Sequence, residues 1–240
     1  MKTLVVGATG ATGRLLVKEL LERGLQVKII VRSPDKLSST IRNHNNLSMT
    51  HASLLDLDDD TLTQHVNGCD AIASCLGHNV SLHGIYGPPR KLVTEATRRL
   101  CQAVRANNPD QFVKFILMNS AGNTNRNLGE EISFAHRGLL WLIRLLLPPH
   151  VDNEQAADYF RVEVGQNDPI IKWVVIRPDS LIDENEVSGY EAYASPIRSA
   201  LLDPGTTSRI NVAHFMVDMV TNQNVWSEWQ GQMPVIYNQG

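Results

Sequence analysis

The sequence predicts an α/β fold with a doubly wound parallel sheet, in which helices cover both faces of the strands. Short apolar runs rich in β-branched residues alternate along the chain with segments of helical periodicity, which is typical of parallel α/β sheets. Several of these runs are apolar almost throughout, as expected for strands that are buried on both faces. The chain has 240 residues, of which 42% are hydrophobic and 20% charged, so it can bury a large core and is not globally disordered.

Six strands and three helices account for this pattern. The strands are predicted at residues 4–6, 27–31, 47–50, 71–74, 112–118 and 172–176. Helices are predicted over residues 14–23, which Gly24 can end, over residues 88–106, with two prolines in the first turn, and along the apolar stripe at residues 212–220. The expected strand order is 3-2-1-4-5-6. A seventh strand is left open, and residues 234–237 are predicted to pack with Trp226 and Trp229 at the sheet edge.

We expect a single domain over residues 1–240 with two additions to the sheet. One is an insertion at residues 123–150 after the fifth strand, which contains an apolar helix at residues 134–147 around Trp141. Core packing is the default role for this helix, and a dimer surface or a substrate lid is the alternative. The other addition is a small C-terminal lobe at about residues 179–240, which is expected to contact the substrate.

Composition excludes several classes of protein. The net charge is −3, which disfavours a nucleic-acid-binding protein that relies on bulk positive charge. The three cysteines (Cys69, Cys75 and Cys101) contain no CxxC pair, so we expect reduced thiols and no metal site. The longest apolar stretch, at residues 139–147, is shorter than the about 20 residues needed to span a bilayer. With no apolar signal segment before Gly7, the sequence predicts a soluble cytoplasmic protein.

The strongest functional signal is a glycine turn at residues 4–13, LVVGATGATG, between the first strand and the first helix. Gly7 permits the sharp turn, Gly10 lets the backbone approach a pyrophosphate, and Gly13 lets the helix pack closely on the strand. Backbone N–H groups and the positive end of the helix then hold the anion. The turn therefore predicts dinucleotide binding by residues Gly7, Ala8, Thr9, Gly10, Ala11, Thr12 and Gly13.

The end of the second strand indicates which dinucleotide is bound. Proteins that bind NAD place an Asp or Glu there to bond the ribose 2′-hydroxyl. This chain has Arg32 instead, followed by Ser33 and Lys36. A guanidinium can pair with a 2′-phosphate through two charge-assisted hydrogen bonds, so the sequence favours NADP(H) over NAD(H). The alternative is that Arg32 is an ordinary solvated charge on a loop.

Together with four further segments, this turn resembles the atypical short-chain dehydrogenases/reductases, in the branch of NmrA-like and biliverdin/flavin-reductase-like proteins. The segments are residues 68–77 (GCDAIASCLG), 114–121 (KFILMNSA), 173–181 (WVVIRPDSL) and 208–213 (SRINVA). Asp179 and Asn211 depart from the Gly and Asp that the family usually has there. The resemblance runs over most of the chain and implies a Rossmann fold that binds NAD(P).

The resemblance also implies further site residues. Cys75, Leu76 and Gly77 end the fourth strand beside the cofactor, and Pro178 ends the sixth. Ser53 stands where the family has an Asp that holds the adenine, so the backbone around Leu54 is left to contact the base. Ser120 ends the fifth strand near the nicotinamide and is the catalytic candidate, with a purely structural strand-end cap as the alternative.

The main departure from the family is the missing Tyr–Lys catalytic pair. No YxxxK motif occurs in the sequence. With Ala156, Ala157 and Asp158 as the anchor, the lysine position falls at 153 or 154 and the tyrosine position at 149 or 150. Tyr159 has no lysine partner and is predicted to be a packing residue. Ordinary alcohol–ketone dehydrogenation is therefore not expected.

Hydride transfer without that pair remains feasible when the acceptor is easily reduced. We therefore predict an NADPH-dependent reductase of a conjugated acceptor such as a flavin, a quinone or a linear tetrapyrrole. The alternative is a non-catalytic NADP(H) redox sensor of the NmrA-like type, with a homodimer or a regulatory protein partner left open. A third possibility is a sugar-nucleotide or isoflavone-type enzyme with a catalytic lysine elsewhere, although no candidate lysine is evident.

Two loop residues after the fourth strand, His78 and Tyr86, are candidates for substrate contact, with an ordinary surface position as the alternative. His78 and His83 lack a third ligand at a metal-binding spacing, so no metal is expected. The acidic residues at positions 56, 58, 59 and 60 are predicted to cap a helix and not to bind a cation.

Overall fold

The structure is a computed structural model that describes residues 1–78, 85–130, 144, 146–200 and 202–239. The strands are β1 (Lys2–Val6), β2 (Gln26–Val31), β3 (Leu47–His51), β4 (Ala71–Ser74), β5 (Val113–Met118), β6 (Ile171–Pro178), β7 (Ser180–Ile182), β8 (Tyr190–Tyr193), β9 (Thr206–Ser208) and β10 (Val235–Asn238). Within the described ranges, eight of them form one sheet in the order β3-β2-β1-β4-β5-β6-β10-β8. The six predicted strands are present within one or two residues of their predicted bounds, and their expected order is confirmed.

Helices cover both faces of this sheet. They are α1 (Ala11–Glu22), α2 (Ser39–Arg42), α3 (Asp59–Val66), α4 (Leu92–Asn107), α5 (Pro148–Asp158), α6 (Arg209–Thr221) and α7 (Gln223–Trp229). Val5 of β1 packs in a core with side chains of α1, α6 and α7. Its neighbours Leu4 and Val6 point to the opposite face and pack with side chains of α3, α4 and α5. Because adjacent strand residues point to opposite faces, a strand covered on both sides is apolar at every position.

Two predicted helix starts are wrong. Helix α1 begins at Ala11 and not at residue 14, so the glycine turn leads into it directly. Helix α4 begins at Leu92, and Pro88 and Pro89 precede it instead of forming its first turn. The reason for the second shift is a tertiary contact, because the N–H groups of Val93 and Thr94 donate to the carboxylate of Asp152 in α5. That contact fixes where the first turn of α4 begins.

The C-terminal residues, predicted as a lobe at about 179–240, divide between two places. Strand β10 extends the main sheet as a parallel neighbour of β6, and β8 adds an antiparallel edge strand. Helix α6 packs beside α1, and Trp226 of α7 is fully buried in the same core. Strands β7 and β9 form a separate two-stranded parallel sheet. The late strand predicted at residues 234–237 is confirmed.

Other local predictions have mixed outcomes. Asp58 caps α3, because its carboxylate accepts hydrogen bonds from the Thr61 N–H at 2.7 Å and from the Thr61 hydroxyl at 2.9 Å. These bonds lower the pKa of Asp58. The apolar helix around Trp141 and the position of His83 lie outside the described residues. In the ranges that the structure describes, no helix has the length and apolar content that a bilayer span requires.

Candidate functional site

A cleft of about 380 Å³ opens at the carboxyl ends of β1, β2, β3 and β4, where ligands of doubly wound sheets bind. Eleven of the residues predicted from the sequence line it: Gly7, Ala8, Thr9, Gly10, Arg32, Lys36, Ser53, Leu54, Cys75, Leu76 and Gly77. Sequence reasoning missed the remaining lining residues, which are Val6, Ile30, Val31, Ala52, Leu55, Asp56, Pro88, Pro89 and Leu92. Apart from Val6, which lies in the glycine turn, and Asp56, these residues are apolar side chains and prolines that belong to no binding motif.

At two positions of the turn, neighbouring backbone atoms lie so close that only glycine fits. Gly7 has a φ of +76°, and a Cβ there would lie 2.4 Å from the carbonyl carbon and oxygen of Cys75. A Cβ on Gly13 would lie 2.1 Å from the Gly7 oxygen. Both distances are far below van der Waals contact, so these glycines let β1, α1 and the end of β4 approach one another closely.

Gly10 has no such backbone requirement. Its φ of −71° and ψ of 166° suit any residue, and a Cβ there would meet only the Gly7 oxygen, at 3.2 Å. Gly10 is also the N-cap of α1, so it offers no side chain to the first N–H groups of that helix, and the first turn holds no acidic residue. The positive end of α1 therefore faces the cleft with room for an anion close to the backbone.

The cleft also has two basic lining residues, Arg32 and Lys36. Arg32 follows β2, and its carbonyl is held to β3 by a 3.0 Å hydrogen bond with His51 Nε2. Among the described residues, the Arg32 and Lys36 side chains have no carboxylate partner, so both charges are available to a ligand. Ser33 precedes the short 3-10 turn Pro34–Lys36 and does not line the cleft.

One acidic residue corrects the expectation for the cluster at positions 56–60. Asp56 lines the cleft beside Leu54 and Leu55, whereas Asp58 caps α3. The loop that carries Asp56 is fixed from α4, because the Arg99 guanidinium donates to the Leu55 carbonyl at 3.0 Å. Asp56 is therefore an acidic lining residue of the cleft.

Cys75 contributes its backbone to the cleft and turns its thiol into the core. Its Sγ lies 3.7 Å from the sulfur of Met216 in α6. Burial raises the pKa of the Cys75 thiol to about 12. A thiol in this environment stays protonated, so Cys75 is not a nucleophile near neutral pH.

Several other predicted cofactor residues lie outside the cleft lining. Ala11, Thr12 and Gly13 belong to the first turn of α1, behind the glycines that line the cleft. Pro178 is buried at the end of β6, where its carbonyl accepts a 2.9 Å hydrogen bond from the Ala121 N–H. Pro178 therefore packs at the carboxyl end of β6, between β5 and β10, and does not line this cleft.

Ser120 lies directly after β5 on the same edge of the sheet. Its Oγ accepts a hydrogen bond from the Gly122 N–H at 3.2 Å, which is the capping contact that the sequence left as an alternative. The hydroxyl hydrogen is still able to donate to a ligand. The neighbouring Asn119 is buried, and its side-chain NH₂ donates to the Asn153 carbonyl of α5 at 2.9 Å. This bond fixes α5 over the end of β5.

The two substrate candidates in the loop after β4 have different surroundings. His78 is not at the surface, because its side chain is only 6% exposed and its Nε2 lies 2.8 Å from Asp152 Oδ2. Asp152, which is fully buried, also caps α4 and was not predicted as a site residue. Tyr86 is exposed, and its hydroxyl donates to the Leu146 carbonyl at 3.0 Å. Neither residue lines the cleft.

Comparisons with known proteins agree with a nucleotide-binding cleft. Residues 7–223 match the model of a family described as NAD(P)H-binding. An uncharacterized chloroplastic protein of Arabidopsis thaliana is 27% identical over 191 residues, which cover 78% of this chain and 67% of the plant protein. The name of that relative does not support the cytoplasmic location expected from the composition, which stays a prediction.

Solved structures share the whole fold at low sequence identity. A Streptococcus pneumoniae protein, named as a candidate NADH-flavin reductase, superposes with a TM-score of 0.68 at 18% identity and full coverage of both chains. A short-chain dehydrogenase/reductase from Veillonella parvula, solved in complex with NADP, has a TM-score of 0.70 at 15% identity, covering 100% of this chain and 95% of that one. At these identities the likeness establishes the Rossmann fold alone.

Proposed function

The chain belongs to the NAD(P)H-binding family, and from this premise we propose that it is an NADPH-dependent reductase of a conjugated acceptor, of the flavin, quinone or tetrapyrrole type. The observation that carries the proposal is one cleft lined by two anion-attracting groups. The first is Gly10 with the uncapped end of α1, and the second is the pair Arg32 and Lys36. A dinucleotide with a 2′-phosphate has two negative groups to match them, the pyrophosphate for the end of α1 and the 2′-phosphate for the two basic residues.

The preference for NADP(H) rests on charge and geometry at the end of β2. Arg32 can offer two parallel N–H donors to a phosphate, and Lys36 adds a second positive charge beside it. No carboxylate stands at the end of β2 to bond a ribose 2′-hydroxyl, and Asp56 enters the cleft from the loop after β3. The NADP in the Veillonella parvula structure supports the same choice by analogy.

The choice of acceptor rests on the missing Tyr–Lys pair and on the residues that would hold the nicotinamide. When bound, the reduced nicotinamide supplies a hydride. The residues that would place it are Leu76 and Gly77 at the end of β4, with Ser120 at the end of β5. Because no Tyr–Lys pair is present in the sequence, an acceptor that delocalises the incoming charge over a conjugated system suits the site best. The name of the Streptococcus pneumoniae protein favours a flavin among these.

Two measurements test the proposal. Fluorescence titration should give an NADPH dissociation constant at least tenfold below that of NADH, which corresponds to about 1.4 kcal/mol. NADPH oxidation should then be followed at 340 nm with FMN, a naphthoquinone and biliverdin as acceptors. Turnover of at least one acceptor supports a reductase. NADPH binding with no turnover, together with unequal affinities for NADPH and NADP⁺, would instead support the redox-sensor alternative and its protein partner.

A further inference from the structure

Helix α5 carries a histidine–carboxylate pair at positions 150 and 154, which are among those that the family resemblance gives for its Tyr and Lys. His150 and Glu154 are four residues apart, so they lie on the same face of the helix. His150 Nε2 lies 3.6 Å from Glu154 Oε1, and the two side chains are only 14% and 12% exposed. Nε2 is enclosed and has no hydrogen-bond partner in the part of the chain that the structure describes. A buried imidazole nitrogen without a hydrogen bond costs folding free energy, so its presence here needs an explanation.

The carboxylate of this pair is held in place and ionised. Arg144 donates two hydrogen bonds to Glu154, from Nε at 2.8 Å and from Nη2 at 2.6 Å. Burial works against ionisation here, but His150 and Arg144 together lower the pKa of Glu154 to about 2. The negative charge of Glu154 therefore persists near neutral pH.

The other side of the imidazole ring faces Ser120, across a space that a glycine leaves open. A Cβ on Gly122 would lie 3.5 Å from Ser120 Oγ, 3.6 Å from His150 Cε1 and 3.9 Å from His150 Nδ1. One small atom at that point would thus contact both a hydroxyl and an imidazole. The bond from Asn119 to the Asn153 carbonyl fixes α5 to the end of β5, so this arrangement is rigid.

We propose that His150 is the proton donor of the reductase and that Glu154 is a positioning residue, an inference that rests on the proposed function. The acceptor receives a hydride from the reduced cofactor, which is two electrons and one proton. The second proton leaves His150 Nδ1 as its N–H bond breaks, and it forms an O–H or N–H bond on the acceptor beside Ser120. The imidazole then regains a proton from water, so NADPH, one proton and the acceptor give NADP⁺ and the dihydro product.

The pH dependence of turnover follows from the groups around His150. Glu154 faces it from the same helix, and Arg144 approaches that carboxylate from the preceding segment. From the end of β5, the facing residues are Ser120 and Gly122, which carry no charge. Because a proton donor makes turnover depend on pH, we expect kcat to vary with pH in the wild type. Removal of the Glu154 charge should change this pH profile.

The test is a His150→Gln variant, which preserves size and polarity but cannot donate a proton as an imidazolium does. We expect kcat with the best acceptor to fall about a hundredfold, the NADPH dissociation constant to stay within twofold, and the pH dependence of kcat to disappear. A His214→Gln variant is the matched control. His214 lies on α6 and contacts the Tyr190 hydroxyl at 2.7 Å, so its loss should leave kcat and the pH profile unchanged.

Two further variants keep the assignment falsifiable if His150→Gln folds poorly. Glu154→Gln should change the pH profile of kcat, and imidazole in solution should restore activity to His150→Ala. If His150→Gln turns over the acceptor as fast as the wild type and with the same pH profile, the role of His150 is overturned. That result would leave the proposed function standing. Wild-type protein that binds NADPH but reduces no acceptor would overturn the proposed function itself.

Discussion

A methyl group added at Gly13 should mainly destabilise the fold, whereas the same group added at Gly10 should mainly weaken cofactor binding. In Gly13→Ala, the new Cβ would lie 2.1 Å from the Gly7 oxygen and 2.9 Å from the Gly7 carbonyl carbon. Since non-bonded heavy atoms are in contact at about 3.5 Å, α1 would have to move away from β1 by roughly 1 Å. Both neighbours are backbone atoms in a buried turn, so no side chain can rotate away.

The cost of that movement is set by what α1 packs against. Leu16, Val17 and Leu20 of α1 are fully buried in one core, and their contacts would loosen together. Overpacking in a well-packed core costs about 1–3 kcal/mol, and we expect Gly13→Ala to reach the upper end of that range. For a domain of ordinary stability, about 5–15 kcal/mol, this is a large fraction of the total.

Gly10→Ala should leave folding nearly intact and weaken the cofactor complex. Its backbone conformation suits alanine, and its Cβ would meet only the Gly7 oxygen, at 3.2 Å. The loss of a glycine N-cap and the reduced entropy of the unfolded chain nearly cancel, so the free energy of unfolding should change by less than about 1 kcal/mol. The methyl group projects where a pyrophosphate would approach the helix, so NADPH should bind tenfold more weakly or worse, a loss of about 1.4 kcal/mol or more.

Urea unfolding and NADPH titration of the two variants measure these effects separately. Trp173 and Trp226 are buried, so their fluorescence reports unfolding. Binding is compared at a temperature at which both variants are folded. Equal losses of stability in the two variants would refute the steric argument. A Gly10→Ala variant that binds NADPH as tightly as the wild type would refute the placement of the pyrophosphate.

Three further predictions concern other parts of the molecule. Arg32→Ala should weaken NADPH binding by about tenfold to a hundredfold through the lost charge-assisted bonds, and leave NADH binding unchanged. Arg98→Ala, on an exposed face of α4, is its control, and equal losses for both nucleotides would contradict the 2′-phosphate contact. Asp152→Ala should lower the free energy of unfolding in urea by about 3 kcal/mol, because it removes the acceptor of the Val93 and Thr94 N–H groups and of His78. A change below about 1 kcal/mol would contradict this role. The pKa of Glu154 is about 2 in the folded protein, below its ordinary value of 4.5, so its contribution to stability is complete above that value and is lost as pH falls towards 2. Urea midpoints between pH 5 and pH 2 should therefore fall less steeply in Glu154→Gln than in the wild type, and identical slopes would contradict the ion pair.

The sequence by itself determined the parts of this protein that depend on local chemistry. Glycines at three fixed positions between a strand and a helix have one common use, and the structure places the turn at the carboxyl edge of the sheet as that use requires. Doubly buried strands are recognisable because they are apolar almost throughout, so six strands could be predicted, and their order followed from the fold class. The place of Arg32 could be predicted because it directly follows β2, whereas its contact with a 2′-phosphate stays a prediction.

Only the tertiary structure decided features that depend on contacts between distant residues. Asp152 lies 59 residues from Val93, yet it sets where α4 begins and it buries His78, a residue that sequence reasoning left at the surface or near the substrate. Asp56 looked like one of several capping residues until folding placed it in the cleft. His150 stands at one of the two positions that the resemblance gives for the family's tyrosine, but the open space beside Ser120 exists because α5 is fixed over the end of β5. Local sequence patterns report backbone preference and burial, whereas these contacts arise only when the folded chain brings separate elements within a few ångströms of each other.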